Sequence, residues 1–187
     1  MGDSLNLEGK KFDLICSHLG LVSADIKLAS RIFANLPEVY ISTSLKAYSH
    51  LRNSLSEIEN DYDLVLIDFP PNANVIVKNA LVASGYYIIP AKLDYLSTLG
   101  ISQLEESVHE HVTEYNSYVE RHGEPEYTPS NPELLGVVPM MVSIIKDESR
   151  KPGRGREILA AQQEFLTGLT ENGHYIFTPV RNNSTVF

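Results

Sequence analysis

Cysteine is almost absent: Cys16 is the only one in 187 residues. No disulfide can form within the chain, and its own cysteines cannot build an iron–sulfur or zinc site. Long apolar runs are missing as well, none approaching the roughly 18 residues that a membrane span needs, and the amino terminus has no apolar signal core. A cytoplasmic protein without membrane attachment is the expectation. The six histidines show no HExxH spacing. His109 and His111 lie two apart on a predicted helix, where side chains diverge, and do not make a metal pair. Neither a Gly-x-Ser-x-Gly elbow nor a Cys–His arrangement is present, which argues against a nucleophilic hydrolase. Basic residues are outnumbered, 15 against 24 acidic, for a net charge of −9. The chain as a whole therefore lacks the basic face that phosphate contacts need. Repeats and low-complexity tracts are also lacking. With 43% hydrophobic residues, the length suits one domain, residues 1–187, around one core.

What is there centres on Tyr62-Asp63-Leu64-Val65-Leu66-Ile67-Asp68-Phe69-Pro70-Pro71. Four consecutive aliphatics read as a fully buried parallel strand that runs into a carboxylate and a rigid Pro-Pro turn. A carboxylate at the carboxyl end of such a strand points into the crevice where α/β folds bind ligands, placed to hold a metal ion or its water. Asp68 is thus the first candidate functional residue. The alternative is a buried strand whose Asp caps the following turn.

Strand and helix alternate along the chain, as a mostly parallel sheet flanked by helices requires. Strands are predicted at Phe12 to Cys16, Glu38 to Ile41, Leu64 to Ile67, Tyr86 to Ile89, Leu135 to Val138 and Tyr175 to Phe177. Cys16, among apolar neighbours, reads as a small core residue. One helix should begin near Ser23 and stop before Pro37. A second carries Leu45, Tyr48, Leu51, Leu55 and Ile58 on one stripe, with Arg52, Glu57 and Glu59 facing water. A third follows Asn72-Ala73-Asn74, where either asparagine can cap it. The longest places Ile101, Leu104, Val108, Val112, Tyr115 and Val119 at helical spacing opposite Glu105, Glu106, Glu110 and Glu114. It should end near Arg121. Residues 122–132, with Pro125, Pro129 and Pro132, read as a connecting loop, a solvated connector rather than a partner contact. The basic residues cluster in Lys146, Arg150, Lys151, Arg154 and Arg156, around Pro152-Gly153 and Gly155. They form either a DNA contact or a solvated loop, with Asp147 and Glu148 beside them.

Five segments in order and spacing, Phe12 to Ala29 (FDLICSHLGLVSADIKLA), Tyr62 to Pro71, Val77 to Ala83 with Tyr87 to Gly100 (YIIPAKLDYLSTLG), Leu135 to Ser143 (LGVVPMMVS) and Phe177 to Val186 (FTPVRNNSTV), resemble the ParA/Soj partitioning ATPases of the ParA/MinD group. The resemblance implies a P-loop NTPase-like α/β fold, with 122–132 an insertion in it. It further implies ATP and Mg²⁺ as ligands, with Asp68 on the Mg²⁺ shell through water. Pro70 and Asp94 would lie near the nucleotide, and Pro179, Arg181 and Asn182 in the loop beside the base. Pro90 and Asp94 match the family's IPVxPEY segment, although Leu93 stands where a proline is usual, and Val180 is inserted between Pro179 and Arg181. Met140 and Met141 take the place of a polar base contact and read as core filling. The expected partners are a second copy in a sandwich dimer, a ParB-like activator and non-specific DNA, contacted through Lys146, Arg150, Lys151, Arg154 and Arg156. The lone cysteine argues against the group's iron–sulfur relatives. A membrane-recruited, MinD-like regulator would need a basic amphipathic carboxyl-terminal helix, which residues 175–187 do not supply.

One departure governs the expected activity. The family's phosphate-binding loop, KGGxGK[ST], is missing: the only Gly-Lys pair, Gly9-Lys10, is followed by Lys11. The chain therefore reads as the carboxyl part of such an ATPase, beginning after the P-loop unit and stopping short of the final helix. With no catalytic residue beyond Asp68, it should be inactive alone. A degenerate, non-catalytic α/β interaction module that has lost its nucleotide is the competing expectation.

Overall fold

Hydrophobic spacing decides most of the helices, and their buried stripes build the core. The structure, a computed structural model, describes residues 13–32, 41–69, 74–92, 95–122, 124–140 and 164–177. In chain order these form α1 (Gly20–Ala29), α2 (Ile41–Ser56), a 3₁₀ turn (Glu59–Asp61), α3 (Val75–Ala83), β1 (Tyr86–Lys92), α4 (Tyr95–His122), β2 (Glu133–Met140) and a last helix, α5 (164–171).

α4 connects β1 to β2, which pair in parallel from Tyr86↔Glu133 to Lys92↔Met140 with a register shift after Tyr87. A third segment joins through the parallel bridge Val137↔Ile176. Its bonds are Val137 N–H to the Tyr175 carbonyl at 2.8 Å and Phe177 N–H to the Val137 carbonyl at 2.9 Å. Ile89, Ala91 and Val137 pack with Ile101 of α4 and with Phe165 and Leu169 of α5. The other face of the strands leaves Tyr86, Ile88, Leu135 and Tyr175 exposed.

The predicted stripe of α4 is the buried one: Ile101, Val108, Val112, Tyr115 and Val119 are all inside. On α2, Leu45 and Tyr48 are fully buried, in one cluster with Tyr115, Tyr118 and Val119 of α4. Val77 and Leu81 of α3 meet Val108 and Val112 of α4. Where the three helices converge, the Lys78 ammonium donates to the Glu114 carboxylate at 3.0 Å and to the Tyr48 hydroxyl at 3.4 Å. Tyr118 donates to the other oxygen of Glu114 at 3.4 Å. Burial by itself raises the Glu114 pKa, but the bonds from Lys78, Tyr48 and Tyr118 outweigh it and hold the carboxyl below its ordinary value. A depressed carboxylate stabilises the fold above its unfolded pKa, about 4, and that contribution is lost as pH falls through the lower folded value. Acid titration of the unfolding free energy should therefore steepen below about pH 4. Glu114→Gln should flatten that limb, and an unchanged slope would remove Glu114 from the account.

Several expectations change. Residues 13–18 and 64–69 are not strands. Leu14, Ile15, Leu64 and Leu66 are each more than two-thirds exposed, and Cys16 is exposed rather than in the core. A run of β-branched and aliphatic residues becomes a strand only beside a hydrogen-bonding neighbour, and among the described residues no segment ladders onto either run. Ile41 belongs to α2 instead of ending a strand, and Glu38 to Tyr40 lie outside the described residues. α1 starts at Gly20, earlier than Ser23, with Gly20 N–H donating to His18 Nδ1 at 2.9 Å. The connection after α4 is not merely solvated. Tyr127 and Ser130 are buried, and Asn116 takes Ser130 as a strand would, accepting from its N–H and donating to its carbonyl, both at 2.9 Å. Arg52, expected in water, donates to the Thr128 carbonyl at 2.9 Å in the same segment.

Candidate functional site

Asp68 is exposed on a stretch without regular secondary structure, between an anchor at Phe69 and one at Tyr62. After it, the Phe69 ring packs on Val77, Leu81, Val108 and Val112, between α3 and α4. Before it, the Tyr62 hydroxyl donates to Asp13 Oδ2 at 2.6 Å. That bond raises the Tyr62 pKa, since losing the proton would set a phenolate beside a carboxylate.

α3 begins a short distance downstream. Asn74 occupies its N-cap position without a side-chain bond to the helix, and the first turn holds no acidic residue. The carboxylate comes from α1 instead: Ile76 N–H donates to Asp25 Oδ1 at 3.1 Å. Asp25 thus does the work expected of Asn74; Asn72 lies outside the described residues. Local sequence gave no signal for this, because the capping residue stands 51 positions away.

Of the residues that the resemblance assigns to nucleotide or DNA, only Asp68 is described. Pro70, Asp94, Pro179, Arg181, Asn182, Lys146, Arg150, Lys151, Arg154 and Arg156 lie outside the described residues, as does Met141. Met140 is half-buried at the end of β2. Among the described residues no group of three or more His, Cys, Asp or Glu could hold a metal ion. A lone exposed carboxylate still fits a hard cation such as Mg²⁺, which keeps most of its waters and takes one or two protein carboxylates together with substrate phosphates.

A separate cleft of about 120 Å³ is lined by Tyr87, Glu105, Val108, His109, Val112, Asn131 and Pro132. Beside it, His174 Nε2 lies 3.4 Å from Glu105. Burial, followed by the charge of Glu105, raises the Tyr87 pKa. Asp68 does not line this cleft. Among the described residues no helix is long and apolar enough to cross a membrane.

Comparison with known proteins agrees with this architecture. The chain superposes on McdA from Cyanthece in its apo form with a TM-score of 0.54 and 19% identity, covering 88% of this chain and 52% of that one. It superposes on cobyrinic acid a,c-diamide synthase from Mycobacterium smegmatis, solved with bound ATP analog and magnesium, with a TM-score of 0.55 and 20% identity. The coverage there is 90% of this chain and 54% of the other. At such identities the likeness speaks for the fold, which is the P-loop NTPase-like α/β class. A family model described as an AAA domain matches residues 4–121. Over 91 residues, 49% of this chain and 34% of the relative, the chain is 30% identical to the sporulation initiation inhibitor protein Soj of Bacillus subtilis. The chain belongs to that AAA-domain family, in its ParA/Soj group. It spans less than half the length of the curated relatives it matches.

Proposed function

We propose that the chain serves a cytoplasmic ParA-like partitioning ATPase and carries its metal-side carboxylate. The observation that supports this reading best is Asp68 itself: exposed, backed by the half-buried Phe69, and followed in sequence by Pro70-Pro71. Asp68 would orient a water of a Mg²⁺ ion bound with ATP. That ion, when present, would neutralise charge on the transferring phosphoryl group. Residues 69–74, stiffened by two prolines, would pass a change at Asp68 to α3 and act as a switch between monomer and dimer. Pro70, Asp94, Pro179, Arg181 and Asn182 are proposed as nucleotide contacts. Lys146, Arg150, Lys151, Arg154 and Arg156 are proposed as non-specific DNA contacts of the dimer, and a ParB-like protein as its activator.

The test is Mg²⁺-dependent ATP hydrolysis by the product of the complete coding region, with and without Asp68→Asn. A carboxylate acting through metal-bound water should be worth about 10–100-fold in activity. Undiminished hydrolysis would remove Asp68 from the site.

A second reading, a non-catalytic interaction module, is favoured by the exposed apolar residues Tyr86, Ile88, Leu135 and Tyr175. It predicts self- or partner association that ATP does not alter.

A further inference from the structure

Two carboxylates from the first described segment reach the two ends of the stretch that carries Asp68. Asp13, ahead of α1, accepts from the Tyr62 hydroxyl at 2.6 Å, six residues before Asp68. Asp25, within α1, accepts from Ile76 N–H at 3.1 Å, eight residues after it.

Packing holds α1 only in part: none of its residues is fully buried, and Ala24, Asp25, Leu28 and Ala29 are half-buried. Leu19, Val22 and Ile26 are exposed, while Asp25 is half-buried on the side that meets α3. The Asp25 bond falls on the second N–H of α3, where an N-cap side chain would normally act. A negative charge there also complements the helix dipole. Between the two contacts, Phe69 gives the Asp68 stretch a side-chain anchor in the helical core.

We infer that Asp13 and Asp25 form a clamp that holds both ends of the Asp68 segment, making Asp25 and Tyr62 positioning residues for that carboxylate. Opening either end lets residues 63–69 sample other conformations. The helix after it then loses its fixed start. The purpose of the clamp rests on the reading of Asp68 as a functional carboxylate, but its existence does not.

The test is ¹⁵N relaxation on this chain, comparing wild type with Asp25→Ala, Asp25→Asn and Tyr62→Phe. Backbone order parameters at 64–68 should fall from near 0.85 to below about 0.6 in Asp25→Ala and in Tyr62→Phe. Asp25→Asn, whose side-chain oxygen can still accept from Ile76 N–H, should restore wild-type values. Amide exchange at Ile76 should quicken about fivefold in Asp25→Ala, the loss of one ordinary cap, with β1 and β2 unchanged. Wild-type order parameters at 64–68 in both Asp25→Ala and Tyr62→Phe would overturn the clamp. So would a loss of order that spreads equally to β1 and β2, since Asp25 would then be a general structural contact. Hydrolysis by Asp68→Asn tests the site reading separately, so either can fail while the other stands.

Discussion

Gly136→Ala is expected to lower the unfolding free energy by about 3 kcal/mol, roughly 6–12 °C in melting temperature for a chain of this size. Gly136 lies in β2 at the register shift, opposite Ile88, with φ at 149°, a conformation that side chains rarely adopt. A Cβ there would overlap the carbonyl oxygen of Tyr175 and stand 3.1 Å from Cε2 of Phe177. The same carbonyl accepts the Val137 N–H. The third segment must therefore move off β2, lose its two bonds, and disturb the edge-to-face pair Tyr175–Phe177, whose rings are 5.1 Å apart. Gly100→Ala is the control: nothing lies within 4 Å of the added carbon, and alanine inside a helix should gain about 0.5–1 kcal/mol. Thermal melts that moved the same way in both variants would contradict the close approach of residues 175–177 to β2.

Tyr115→Ala should cost more, about 3–5 kcal/mol. The ring is fully buried and meets Tyr48 edge-on at 6.0 Å. Its hydroxyl donates to the Thr128 carbonyl at 3.1 Å and lies 3.3 Å from Ser49 Oγ. Truncation thus opens a cavity between α2 and α4 and unpins the segment after α4 at once. Tyr115→Phe separates the two effects. It keeps the ring and removes the hydroxyl, and because Arg52 still donates to the Thr128 carbonyl, its cost should be only about 1 kcal/mol. Urea unfolding of the two variants checks this. Equal losses would mean that the hydroxyl, not the packed ring, carries the contact.

These effects track what could be read from residues alone. The spacing of Val108, Val112, Tyr115 and Val119 is itself a statement of which face of α4 is buried, because a helix of 3.6 residues per turn lines them up whatever surrounds it. β1 and β2 were legible for a similar reason, as short apolar runs on either side of a long helix. The run Leu64 to Ile67 has the same composition, yet the described chain gives it no ladder. A strand's partners are chosen by tertiary structure, and composition carries no information about whether one is present.

The candidate site divides the same way. Asp68 stood out in sequence because a carboxylate between an apolar run and Pro-Pro is a local pattern. Its supports did not. Asp13 meets Tyr62 across 49 positions, and Asp25 caps α3 across 51. Nothing near Asn74 indicates that a distant carboxylate has taken over its role. Asn116 holds Ser130 after the polypeptide has turned back on itself, which made a proline-bearing connector look freely solvated.

By itself, then, the sequence determined α2, α3 and α4, the parallel strand–helix–strand unit and the choice of Asp68 as the candidate carboxylate, since each follows from periodicity or from neighbours along the chain. Tertiary structure alone decided which apolar runs find a ladder, which buried glycine cannot be replaced, and which acidic side chains hold the ends of the Asp68 segment. Those outcomes depend on groups brought together from far apart in the chain, and a hydrogen bond or a steric limit exists only once both partners are in place.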